Sequence, residues 1–209
     1  MKERSTIFLT VLWSITLPAL VSAATVVGAA SKDLPFCQKA AQLFGERLEP
    51  DAELIKTVDW KPVELKGPGP KSSRCSRLDR ATLDLDNSGT KDLVVKTSFC
   101  MKGAPSDSLY MFPAHSVVLE HLSWRDMSPL LATSDKFERT GGTYPLTSLP
   151  LQGASMPPAL TTMFTVQPFI LDAVTYVALT DAKREWLVVA NYRDNQHFED
   201  RCYLRGGKQ

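Results

Sequence analysis

Apolar residues in this chain gather in short runs on either side of polar turns. Residues 81–99, 116–132 and 175–192 each carry β-branched residues or leucines on both flanks of such a turn, the pattern of an antiparallel hairpin. Two runs, 81–85 and 93–97, bracket a tight loop centred near Ser88, so folding the hairpin sets residues whose numbers add to about 175 opposite each other. Shifting the first hairpin onto the third by 94 positions lays Leu93, Val94 and Val95 on Leu187, Val188 and Val189, Leu85 on Leu179 and Leu83 on Val177. Half of that shift is near the length of a propeller blade, roughly 40–45 residues. The expected fold is therefore mainly β, a hairpin meander arranged as a small propeller-like assembly or a curled sheet.

A single N-terminal helix is expected over residues 32–49. Phe36, Ala40, Leu43, Phe44 and Leu48 recur at the spacing of one helical face, and Pro50 stops the pattern. Trp60, Val63 and Leu65 read as a short strand, and residues 66–73, KGPGPKSS, read as a loop. Residues 140–158, rich in Gly, Pro, Ser and Thr, read as a long surface connection.

The first 23 residues read as an address. Lys2 and Arg4 precede an apolar stretch at 7–21, and Val21-Ser22-Ala23 supplies the small residues of a cleavage site. That stretch falls short of the roughly 20 residues that span a bilayer. The expectation is a signal peptide at 1–23 and a single exported domain at 24–209, periplasmic or secreted, with no stable membrane insertion once the leader is gone. Lys and Arg total 24 against 23 Asp and Glu, and removal of Lys2, Arg4 and Glu3 leaves 22 of each sign. Such a balance gives no footprint for nucleic acid.

All four cysteines, Cys37, Cys75, Cys100 and Cys202, fall in the exported part. An oxidising compartment favours disulfides there, and four cysteines allow three pairings. The hairpin register places Cys75 opposite Cys100, which leaves Cys37 to join Cys202 and tie the early helix to the last strand. Neither the cysteines nor His115, His121 and His197 show the close spacing of a zinc site.

The turn at residue 88 carries chemistry. Asp84-Leu85-Asp86-Asn87-Ser88-Gly89-Thr90-Lys91-Asp92 sets carboxylates at loop positions 1, 3 and 9 around a glycine at position 6, an arrangement that can wrap oxygens about calcium. The EF-hand pattern is excluded, because Val95 stands where it needs a bidentate glutamate. The stretch LDLDNSGTKDLVV at 83–95 resembles the calcium loops of FG-GAP and VCBS-type repeats, in which D-x-D-x-D-G-x-x-D sits in a β-hairpin ahead of an apolar strand. The resemblance implies Asp84, Asp86 and Asp92 as side-chain ligands, Thr90 as a carbonyl ligand, Gly89 as the turn and Ser88 in the place of the family's usual Asp or Asn. The alternative is a plain hairpin turn, with Asn87, Ser88 and Gly89 supplying turn chemistry and the aspartates facing water.

Functionally, the chain has no G-x-S-x-G elbow, H-E-x-x-H helix, phosphate-binding glycine loop or C-x-x-C pair. These features favour a non-enzymatic exported protein that binds another protein, such as an inhibitor or immunity protein against a delivered toxin. A secreted hydrolase with a nonstandard site and a structural envelope component are the competing readings.

Overall fold

A computed structural model describes residues 23–67, 77–101, 104–113, 119, 122–123, 125–126, 130, 136–139, 143–145, 159–161, 163–181, 183–194 and 197–207. The chain opens with strand β1 (Thr25–Ala29), a 3-10 turn (Ser31–Asp33) and helix α1 (Leu34–Phe44), followed by a short helix α2 (Ala52–Lys56). Next come β2 (Lys61–Pro62), β3 (Arg77–Leu83), β4 (Asp92–Met101), β5 (Ala104–Phe112) and β6 (Lys136–Arg139). Then follow β7 (Thr143–Pro145), β8 (Ala159–Thr161), β9 (Met163–Leu171), β10 (Val174–Asp181), β11 (Trp186–Asp194) and β12 (His197–Arg205).

The molecule is mainly β. β2 to β6 form one antiparallel sheet in chain order, and β9 to β12 form a second, to which β1 adds beside β12. β7 and β8 make a separate two-stranded ribbon. The sheets stack face to face. Ala81, Leu83, Leu85, Val94, Leu109 and Met111 of the first pack against Val166, Val177, Leu179, Val188, Ala190 and Tyr203 of the second in one buried cluster. Burying each Val or Leu there contributes about 1.5–3 kcal/mol. No closed barrel forms among the described strands, which matches the curled-sheet expectation.

The internal repeat has a structural meaning. Its two copies are the central hairpins of the two sheets, and the matched pairs Leu83/Val177, Leu85/Leu179 and Val94/Val188 all face the shared core. Strand side chains alternate between faces, so Val189 points the other way and joins a second cluster. That cluster packs the far side of the second sheet against α1, through Cys37, Ala40, Ala41 and Phe44 of the helix. Their spacing is one helical stripe.

Local chemistry explains where the elements end. α1 accepts Pro35 in its first turn, where no backbone donor is needed. It ends at Phe44 because Gly45 takes a φ of 58° and donates its N–H to the Ala41 carbonyl at 3.1 Å. The expected helix over 32–49 is thus shortened at both ends, and Gly45 rather than Pro50 stops it. The Asp51 carboxylate then caps α2, accepting the Leu54 N–H at 2.7 Å. Of the expected strand around Trp60, Val63 and Leu65, Lys61–Pro62 pairs with β3, and the Val63 N–H adds one bond to the Leu78 carbonyl at 2.9 Å.

The hairpin at 81–99 is present, as β3 and β4. Its register runs from Arg77 opposite Ser98 to Leu83 opposite Asp92, each pair adding to 175 as expected. The hairpin at 175–192 is β10 and β11, with Val177 opposite Ala190. Most of the unit at 116–132 lies outside the described residues, and its Ser123 makes only an isolated bridge to Lys66. Within the connection at 140–158, residues 143–145 pair with β8.

Cys37 in α1 is bonded to Cys202 in β12, with Cα atoms 5.6 Å apart. The helix is stapled to the last strand, as the sequence implied. Cys75 lies outside the described residues, and only the backbone of Cys100 is described, so their pairing lies outside them too. No helix among the described residues is long and apolar enough to cross a membrane.

Candidate functional site

The candidate loop connects β3 to β4, and its conformation follows from the residues it contains. Asn87 and Gly89 take φ values of 55° and 88°, the left-handed region that Asn and Gly enter most readily. The reversal brings backbone donors back over the first aspartate. Asp84 accepts the Ser88 N–H at 2.8 Å and the Gly89 N–H at 2.9 Å, and Asp86 also accepts the Ser88 N–H at 3.2 Å. Ser88 Oγ takes the Thr90 N–H at 3.4 Å. The loop closes largely on its own side chains.

The curvature of the turn, not strand alternation, then separates the expected ligands. Asp86, Ser88, Thr90 and Asp92 line one shallow pocket of about 320 Å³, floored by Met111, Phe112 and Pro113. Asp84 does not line it and is turned toward the loop's N–H groups. Among the described residues, no three His, Cys, Asp or Glu side chains are gathered closely enough to hold a metal ion. The donor set on the pocket is nonetheless suited to a hard cation. Its donor types, two carboxylates with Ser88 and Thr90, are those calcium takes, and of these Asp86 and the Ser88 hydroxyl already accept loop N–H groups.

Asn87 has a role beyond turn chemistry. The β10–β11 ladder stops at Val177 and Ala190, so Thr175, two residues earlier and buried, has no strand partner from β11. The Asn87 carboxamide replaces that partner. Its Nδ2 donates to the Thr175 carbonyl at 2.9 Å, and its Oδ1 accepts the Thr175 N–H at 2.8 Å. Asn191 Nδ2 donates to the same carbonyl at 3.2 Å. The loop of the first sheet is thereby docked on the second.

A second polar cluster lies where β5 meets β9, and the sequence reading passed over it. Lys96 stands opposite Asp79, and Asp107 opposite Ser98, on the inward face of the first sheet. Asp107 accepts the Ser98 hydroxyl at 2.6 Å and the buried Val166 N–H at 3.1 Å. Asp79 is paired with Arg77 at 2.6 Å. Lys96 donates to Gln167 at 3.2 Å and sits 5.1 Å from the centre of the Trp60 ring. Burial holds the Lys96 ammonium below the usual lysine range, against the attraction of Asp107 and Asp79. The signal was present in the sequence as charged residues at the inward parity of three strands that otherwise bury Leu, Val and Met.

Elsewhere, burial raises the Tyr176 phenol above its ordinary range, and hydrogen bonds from Ser123 lower Asp126. Comparison with models of known protein families, with characterised proteins and with solved structures finds no match to this chain.

Proposed function

We propose that this chain is an exported, non-enzymatic protein that binds another protein, of the kind that neutralises a delivered toxin, and that its turn at 84–92 holds a structural calcium ion. The observation that carries the ion is the common pocket lined by Asp86, Ser88, Thr90 and Asp92. Calcium bound there supplies charge neutralisation for two carboxylates held on one side of a tight turn. The chain's own residues do the rest: Asp84 braces the turn from within, and Asn87 fixes it to β10.

The binding role is supported by the frame. Two stacked sheets and a disulfide-tied helix make a rigid body that presents its turns at the surface, where recognition residues commonly sit. Ile55 is the one large apolar side chain left exposed among the described residues, which suits a surface that meets its partner through polar contacts, as many non-obligate interfaces do.

Two experiments test the two halves. Calcium should raise the melting temperature of the exported chain, and Asp86→Ala should abolish the rise; a melting curve indifferent to calcium and to chelator removes the ion. For the partner, a secreted toxin encoded beside this chain should form a stoichiometric complex with it and lose activity. Turnover of a hydrolase substrate by the purified chain, with no complex formed, contradicts the binding role.

A further inference from the structure

We infer that the cleft between the outer face of β9–β10 and the turn after α1 is a binding site for one neutral sugar ring. The inference is independent of the ion at residues 84–92 and of the partner protein. The cleft exists because the helix stops before the sheet does. Opposite each other on β9 and β10 stand Phe169 and Tyr176, then Gln167 and Ala178, then Thr165 and Thr180, and alternate residues along a strand share a face. α1 covers the first pair, with Phe36 stacked on Tyr176 and Phe44 edge-on to Phe169. Gly45 ends the helix there, and the turn that follows sets Leu48, Glu49 and Pro50 across the remaining gap. The result is an open cleft of about 250 Å³.

Two hydroxyls in it point to a ligand. Thr180 is buried, at 6% exposure, and neither its hydroxyl nor that of Thr165 has a hydrogen-bond partner among the described residues. A buried hydroxyl without a partner is costly, yet both of these line the cleft, where each can donate one hydrogen bond and accept two. The charged groups around them are already engaged. Glu49 is paired with Arg184, and Asp107 accepts the Ser98 hydroxyl and the Val166 N–H. A charged ligand would bury its charge without a free opposite charge to meet it. Phe44, Leu48, Pro50 and Ala178 supply an apolar wall. A ligand that satisfies both surfaces carries neutral hydroxyls on a compact frame with C–H faces, which is the build of a sugar. The volume sets its size, since it falls below the roughly 300–1,000 Å³ of drug-sized sites and leaves room for one ring, not for a chain of rings.

The test is a titration followed by NMR. The isotope-labelled chain, with its Cys37–Cys202 bond intact, is titrated with glucose, galactose and N-acetylglucosamine, and with glucuronate as the charged control. At least one neutral sugar should shift the amide resonances of Thr165, Ala178 and Thr180 saturably, and glucuronate should not. Thr180→Val and Thr165→Val keep the side-chain shape and each remove one hydroxyl. Each should weaken that binding by about tenfold while leaving Tm unchanged or higher, because no bond within the protein is lost. No saturable shift with any of the three neutral sugars overturns the site, as do shifts centred away from the cleft. An equal response to glucuronate overturns the neutral class. Valine variants that bind as the parent does, or that both lose binding together with a lower Tm, overturn the role given to the hydroxyls.

Discussion

Asn87 shows how one side chain can join two sheets. Its carboxamide meets both the N–H and the C=O of Thr175, and its backbone occupies a left-handed φ of 55° that alanine tolerates poorly. Asn87→Ala should therefore cost about 1–3 kcal/mol, the sum of two lost hydrogen bonds and some backbone strain. Urea denaturation checks this, and an unchanged midpoint contradicts the docking role. The β9–β10 turn offers the opposite case. Asp172 and Ala173 both have positive φ, 52° and 63°, between Leu171 and Val174, a two-residue turn for which Asp-Gly is the favoured pair. Ala173→Gly should raise stability by about 0.5–1 kcal/mol, and a lower melting temperature would show that the strain is absent. The two aspartates at 84 and 86 looked equivalent in sequence, both outward on one strand. Only the turn's curvature separates them, sending Asp86 to the pocket and Asp84 to the backbone donors.

Elements were legible where one face is apolar and a turn fixes the register. β3 and β4 satisfied both conditions, and so did β10 and β11. β5 and β9 did not, and β12 was legible only as the strand that carries Cys202; the reason is physical. β9 carries Gln167 and Pro168 in mid-strand, which its place at the sheet edge permits. β5 opens with APSDS because Asp107 caps a backbone N–H across the layers. β12 reads HFEDRCYLR because Arg201 reaches Asp33 beside α1. The inward Asp107 of β5, the Gln167-Pro168 pair of β9 and the charged residues of β12 each break the alternation that a sequence reading relies on. The Lys96 cluster makes this testable. The folded state lowers the Lys96 pKa below its ordinary 10.5, so between the lowered value and 10.5 the unfolded chain binds the proton that the folded chain has released. Stability should rise with pH across that alkaline window. Lys96→Met should flatten this rise in urea melts run at a series of pH values; parallel curves for the two proteins contradict it.

At the scale of the whole molecule, the two ends of the chain close the fold. β1 pairs with β12, and the Cys37–Cys202 bond spans 165 residues beside it. The second sheet cannot be completed until the last strand is present. Replacing both cysteines by serine should cost about 4–5 kcal/mol in the chain-entropy account, read as a shift in the urea midpoint; a loss below about 1 kcal/mol would assign the closure to β1–β12 pairing alone. The pocket at the β3–β4 turn lies within this same frame, and its ion is the claim on which the functional account turns. Calcium titrated calorimetrically into the chelator-treated chain measures it directly. The account predicts one saturable site per chain that disappears in Asp86→Ala and Asp92→Ala while both variants keep their fold; no binding heat in the parent, or the same heat in all three proteins, contradicts it.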